Sequence, residues 1–303
     1  MPNTFSEKVT RFTPILDEIY AKGSLTAFLE KDSAMWIGTN KIKMPMIDID
    51  GAGDYDRSDG YANGGIHVDY AEYELEFDRG RKFNIDVIDD DEAGFNLYAE
   101  AARAYVTKKE IPEVDAVRFS RFAARANTVK ESDTYNILEE FDLGVETLDN
   151  LEVPEEGRIA FMTPSDYTSL KKEFQNSARW DSTTLQAGFG IERRFNVLDG
   201  VLLIKVPESR FYDVVELLDG TTAGQEAGGF QPVALTSKKL KMILADIEAL
   251  EAYTKRNVSK IISPDQNQNA DAWMVAYRNH HDAIVAQNKR NGIYVLKAVT
   301  AVA

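Results

Sequence analysis

The sequence contains no cysteine. Disulfides, zinc–thiolate sites and thiol nucleophiles are thereby excluded, and the composition suits a reducing compartment. Histidine is scarce: His67, His280 and His281 are all there is, so imidazole ligation and acid–base pairs have few residues to draw on. No apolar run approaches the ~18 residues that a membrane-spanning helix needs. The opening stretch MPNTFSEKVTRF lacks the apolar core of a signal peptide. Positive charge is also short. Lys and Arg total 35 against 50 Asp and Glu, a net charge of −15. That excess argues against a nucleic-acid binder held by clustered Lys and Arg, although a local basic strip is compatible with it.

What is present is an ordinary globular composition, 303 residues with 44% hydrophobic and 28% charged. Such a chain buries a substantial core in one large domain or two of common size. No low-complexity linker divides it. Residues 1–35 carry a short amphipathic pattern, Phe12, Ile15, Leu16, Ile19 and Tyr20, too small to form a domain alone. It reads as an arm lying on something else. KIKMPMIDI (41–49) and GIHVDYAEYELEFD (65–78) flank an Asp/Gly-rich tract and predict a long β-hairpin. Ile66, Val68 and Tyr70 alternate with polar residues, and Tyr73, Leu75 and Phe77 resume the period after a one-residue slip, which predicts a bulge between Tyr70 and Tyr73. RKFNIDVI (81–88) predicts another strand. DDDEAG then opens a helix through about 127, with Pro112 expected to kink or interrupt it.

A second helix is predicted over 134–150. RIAFMTPSDYTSLKK (158–172) and LKMILADIEALEAYTK (240–255) each read as an apolar strand followed by a helix. VLDGVLLIKVP (197–207) reads as a strand entered through Asp199-Gly200. DGTTAGQEAGGF (219–230) reads as a mobile loop. Extended pieces around Asn291-Gly292 predict a closing hairpin.

The chemical candidates are weak. The tract DIDGAGDYDRSDGYANGG (48–65) has the acids of a calcium loop but not their spacing. Counted from Asp48, position 5 is Ala52; counted from Asp54, position 6 is Asp59 and position 12 is Gly65. No Walker or dinucleotide glycine motif follows a strand. His280 and His281 sit in an alternating segment and point to opposite faces. The acids at 89–92 read as a helix start rather than a magnesium site, and no GxSxG elbow occurs. None of these arranges a catalytic group.

Longer blocks are more informative. LEFDRGRKFNIDVIDDDEAG (75–94), KKEIPEVDAVRFSRFA (108–123), VPEEGRIAFMTPSDYTSLKK (153–172), LDGVLLIKVPESRF (198–211), LLDGTTAGQEAGGF (217–230) and the run 260–294 follow one another in this order. Together they resemble tailed-bacteriophage major capsid proteins with the Hong Kong 97-type fold, over most of the chain. The resemblance implies an α+β fold in four parts. These are an N-terminal arm (1–38), an extended hairpin loop (39–80), a peripheral domain with a long spine helix (81–133 and 275–303) and an axial α/β domain (134–274).

The function it implies is a non-enzymatic structural subunit. Copies self-assemble into hexamers and pentamers of an icosahedral shell, located in the virion and assembled in the host cytoplasm. The implied partners are the chain itself, a separate scaffolding protein, a portal protein, an optional decoration protein and loosely enclosed double-stranded DNA, with no membrane and no cofactor or metal. A separate scaffold is expected because the hairpin begins by about residue 40, which leaves no room for an internal scaffolding segment. Phe12, Ile15, Asp54, Tyr55, Arg57, Tyr73, Arg79 and Arg81 are the expected intersubunit contacts. Some relatives lock their shells by an isopeptide bond from a loop-tip Lys; residues 44–81 hold no Lys here, so a non-covalent shell is expected. The alternatives are an encapsulin-like nanocompartment shell and a soluble α/β enzyme.

Overall fold

In the computed structural model, the described residues are 19, 23–31, 35–38, 40–58, 60–93, 96–174, 180–186 and 192–302. Among them the strands form four sheets. The first joins β1 (Met35–Ile37), β2 (Lys41–Ile49) and β3 (Ile66–Glu74). β2 and β3 are antiparallel from Lys41↔Glu74 to Ile49↔Ile66, which makes the long hairpin, and the Asp/Gly tract is its tip. Gly60 at φ +86° shows why glycine is used in the turn that closes on Asp56.

The expected bulge between Tyr70 and Tyr73 is absent, since β3 keeps its register with β2 through Met44↔Ala71 and Lys43↔Glu72; the chain instead changes sheet just beyond. β3 stops at Glu74, and β4 (Phe77–Asp86) starts in a different sheet, antiparallel to β14 (Ala272–Ile284), which also pairs with β13 (Glu251–Ile262). Leu75 is buried at the crossing with Ile42, Tyr253 and Ile284. A phase slip in an alternating pattern is common to a bulge and to a strand that turns its other face inward.

α1 (Val87–Glu92) begins slightly before the acidic run, because Asp86 caps it by accepting from Ile88 N at 2.9 Å. Asp90 caps the next helix, accepting from Leu97 N at 2.6 Å. That helix is α2 (Leu97–Tyr105), and it passes through a π turn (Val106–Glu110) into α3 (Ile111–Arg125). Pro112 lies just after the π turn and does not interrupt the helix. The wider turn absorbs its missing amide donor. The long helix serves two cores. Ala102, Val106, Ile111 and Val114 pack on Ile261, Val275 and Tyr277 of the β13–β14–β4 sheet. Phe119, Phe122 and Ala123 enter the core of the largest sheet.

That sheet has the order β5-β15-β12-β6-β9-β8-β7. Its strands are β5 (Thr128–Glu131), β6 (Arg158–Met162), β7 (Trp180–Gln186), β8 (Glu192–Leu198), β9 (Val201–Lys205), β12 (Lys238–Asp246) and β15 (Ile293–Ala301). Central β12 is buried on both faces. Ile243 and Ala245 face the long helix, whereas Met242 and Leu244 face α4 (Ile137–Asn150) and α5 (Pro164–Phe174). Two-sided burial explains the unbroken apolar run in its sequence.

Other expectations need correction. Residues 247–255 are not a helix. After a short 3-10 turn (Ile247–Ala249) the chain enters β13, where pairing with β14 overrides the helix propensity of Ala, Leu and Glu. Asn291-Gly292 is not a hairpin, since β14 and β15 belong to different sheets and a 3-10 turn (Gln287–Gly292) joins them. Asp199-Gly200 is the two-residue hairpin, with φ values of 49° and 80° between β8 and β9. Strand membership also departs from the expected parts: β13 and residues 272–274 lie in the sheet under the long helix, and β5 and β15 in the largest sheet. The loop 219–228 joins the small antiparallel pair β10 (Val215–Leu218) and β11 (Gly229–Pro232).

Candidate functional site

Among the described residues, the outer half of the β2–β3 hairpin gathers several exposed apolar side chains on one element. Residues directly opposed in an antiparallel ladder share a face. The pairs Pro45↔Tyr70, Ile47↔Val68 and Ile49↔Ile66 therefore form one apolar strip. Ile47, Ile49 and Ile66 are 63%, 65% and 69% exposed, and Pro45, Val68 and Tyr70 are exposed as well. Covering one such side chain contributes about 1.5–3 kcal/mol. The strip thus carries a driving force of several kcal/mol for association. At the tip, Asp54, Tyr55 and Arg57 are exposed, and Tyr55 makes an edge-on contact with Tyr61 at 5.0 Å between ring centres.

The base of the hairpin is held within the chain. Tyr73 is half-buried beside Ile42 and Leu75, and its hydroxyl accepts from Gln287 N at 3.1 Å. Arg121 on α3 pairs with Glu76 and lies 3.4 Å from the buried Asp282 carboxylate, which also accepts from Glu76 N at 3.1 Å. The Arg121 guanidinium covers the Phe77 ring at 4.8 Å. Burial raises Asp282 above the usual carboxylate range, against the opposing pull of Arg121.

Arg79 and Arg81 point from β4 toward the 219–228 loop. Arg79 forms a two-pronged pair with Glu113, at 2.7 and 3.4 Å, and donates to Leu218 O at 2.8 Å. Arg81 donates to Glu226 O at 2.9 Å. The two expected contact residues thus fasten a loop of their own subunit. That loop is organised: Asp219 accepts from Thr221 N and Thr222 N at 2.8 Å each and from Thr222 Oγ1 at 2.6 Å, which holds its carboxyl far below the ordinary value.

Two further groups were not found by sequence reasoning. The first anchors the end of the arm. Asp115, fully buried on α3, accepts from Ser24 Oγ at 2.8 Å, Leu25 N at 3.0 Å, Thr26 Oγ1 at 2.7 Å and Arg210 Nη1 at 3.0 Å. One turn on, buried Arg118 donates to Glu30 at 2.6 Å and to Thr26 Oγ1 at 3.1 Å. Nothing in the sequence singled them out, since the same helix stretch IPEVDAVRFSRFAAR also carries Glu113, Arg121 and Arg125. The second group is a polar layer under the π turn. Glu110 there is pushed up to about 7, burial being the main cause. His281, stacked on Phe77 at 6.1 Å between ring centres, is fully buried and held well below its ordinary value by desolvation and the nearby Arg118 charge. Of the expected contacts in the arm, Phe12 and Ile15 lie outside the described residues.

No family model matches this sequence. No curated protein matches it. Solved structures do. The capsid of the cyanophage P-SCSP1u matches with a TM-score of 0.60 at 12% identity, over 92% of this chain and 89% of that one. The mature capsid of bacteriophage PhiM1 matches with a TM-score of 0.60 at 10% identity, over 91% and 87%. The virus-like particle from Pyrococcus furiosus matches with a TM-score of 0.53 at 11% identity, over 96% and 99%. The chain has the α+β, Hong Kong 97-type fold found in these shell subunits.

Proposed function

We propose that this chain is the major capsid protein of a tailed bacteriophage, a structural and non-enzymatic subunit that assembles into hexamers and pentamers of an icosahedral shell around double-stranded DNA. The observation that carries the reading is the bare apolar strip on the β2–β3 hairpin. A subunit acting alone gains nothing from it, whereas a subunit that lays the hairpin on its neighbour covers it. On this reading the arm and hairpin are the extensions, the long helix with β4, β13 and β14 is the peripheral part, and the seven-stranded sheet with α4 and α5 is the axial part. A scaffolding protein, a portal and, on some shells, a decoration protein complete the virion. The net charge of −15 suits DNA enclosed loosely rather than gripped.

An encapsulin-like nanocompartment is the second reading, favoured by the likeness to the Pyrococcus furiosus particle over 99% of that chain. Expression of the chain with and without its neighbouring genes, followed by negative-stain microscopy, tests both. Closed shells are expected. A chain that stays monomeric under every condition overturns the shell reading, and shells that form only around a co-purifying protein cargo favour the second.

A further inference from the structure

The sequence holds two Asn-Gly pairs, and the fold gives them opposite surroundings. Asn63-Gly64 lies in residues 62–65, which belong to no strand, helix or turn, and both residues are exposed. Neither the Asn63 carboxamide nor Gly64 N has a hydrogen-bond partner among the described residues. The amide that is tied down is the next one, Gly65 N, which donates to Asp50 Oδ2 at 2.6 Å. Asn291-Gly292 instead ends the 3-10 turn Gln287–Gly292. Gly292 is buried there, and Asn291 Oδ1 accepts from Asn127 Nδ2 at 2.7 Å.

The two glycines also differ in what they are needed for. A Cβ on Gly292 would stand 3.2 Å from Ala249 Cβ, so close packing accounts for that glycine. Gly64 has no such constraint. Its φ lies outside the left-handed region, and a Cβ there would meet only Asp50 Cβ, at 3.8 Å. What glycine does leave open at 64 is the approach to its own backbone nitrogen. An asparagine side chain reacts with the main chain when its Cγ turns to face the following nitrogen. An exposed segment without backbone hydrogen bonds samples that arrangement, whereas the backbone angles of a 3-10 turn withhold it.

We propose that Asn63 is a self-modification site, at which the native subunit deamidates through a succinimide shared with Gly64. Gly64 N loses its proton to solvent and bonds to Asn63 Cγ. The Cγ–Nδ2 bond breaks, and Nδ2 takes a proton from solvent and leaves as ammonia. Water then opens the ring at either carbonyl, giving aspartate or, with the main chain routed through the side chain, isoaspartate. Water is the only reagent consumed. Each product adds a negative charge to a tip where Asp48, Asp50, Asp54 and Asp56 already outnumber Arg57, and isoaspartate also adds a methylene to the main chain. The change falls close to Ile49↔Ile66, the outermost pair of the apolar strip, where a charge opposes the loss of water that association requires. The modification is independent of the shell reading; its effect on assembly rests on that reading.

Native subunits and a urea-unfolded sample are held in mildly alkaline buffer, digested at intervals and read by mass spectrometry, with isoaspartate detected by enzymatic methylation. In the native subunit the peptide carrying Asn63 should convert about 100-fold faster than the one carrying Asn291, since misplacing reacting atoms by about an ångström costs that much. In the unfolded sample the two should convert at similar rates. Gly64→Ala, for which there is room, should slow conversion at Asn63 and leave the melting temperature unchanged. A native Asn63 as inert as Asn291, or one indifferent to Gly64→Ala, overturns the proposal. Where fresh subunits form particles, aged parent subunits should form fewer, and aged Asn63→Gln subunits as many as fresh ones. Equal yields from aged and fresh parent subunits overturn the effect on assembly. A parent that never forms particles removes the shell reading, while the mass change at Asn63 still decides the deamidation.

Discussion

The molecule contains two long antiparallel strand pairs with opposite fates. β13–β14 lies under the long helix, and its Ile261, Val275 and Tyr277 are 5%, 4% and 5% exposed. β2–β3 has a comparable alternation, yet its apolar strip stands in solvent. The strand chemistry is similar; the difference is whether the same chain supplies a cover. An isolated strand pair is marginal in water. The bare pair is pinned at its base, through Tyr73, Leu75 and the Arg121–Asp282 contact, and its apolar strip stays exposed along its outer length.

The covered region breaks most severely where its polar anchor is removed. Asp115→Ala leaves Ser24, Thr26 and Arg210 without their shared buried acceptor. A loss of about 3 kcal/mol or more is expected, since one partner of a buried ion pair is left uncompensated. Urea unfolding of the soluble subunit measures it, and a midpoint matching the parent's would show that the arm is not anchored there.

Glu110 sharpens the comparison through pH. Its native value, about 7, is above its ordinary 4.5. A carboxyl raised in this way favours the folded state at low pH, and that contribution is lost as pH rises from about 4.5 through about 7. The gap corresponds to about 3 kcal/mol. Glu110→Gln should match the parent near pH 4 and exceed its stability at pH 8. Equal urea midpoints for the two at pH 8 would place the carboxylate in contact with water.

On the bare pair the expectation reverses. Ile47→Lys with Val68→Glu, opposite charges at directly opposed positions, should alter subunit stability by no more than about 0.5 kcal/mol, because exposed positions tolerate change, yet should abolish particles on sizing columns. Tyr73→Asp is a less clean probe, because Tyr73 packs within its own subunit. The smallest expected effect is none at all. Particles boiled in denaturant should run as a single band near 34.0 kDa. Lys41 lies 3.9 Å from Glu72, and Lys43 covers the Tyr70 ring at 4.2 Å, both toward the base of the hairpin. A ladder would mean that one of them reaches a neighbour.

Much of this was legible in the residues. Alternation in KIKMPMIDI and GIHVDY marked the hairpin, glycines and aspartates marked its tip, and acids at 89–92 marked a helix start, because strand period, turn strain and helix-end amides act over a few residues. Which strand lies beside which was not legible. IEALEAYTK has local helix propensity but pairs with β14, and Asn291-Gly292 has hairpin chemistry but joins two sheets. Arg79 and Arg81 looked like outward charges until the 219–228 loop folded over them. Asp115 and Arg118 became an anchor only when residues 24–30 came to lie across the helix. By itself the sequence determined the local period, the turns, the acidic balance and the absence of thiols and tip lysines. Tertiary structure decided which polar groups are buried and which apolar face is left uncovered, because burial depends on contacts between residues tens to hundreds of positions apart, and no local window contains them.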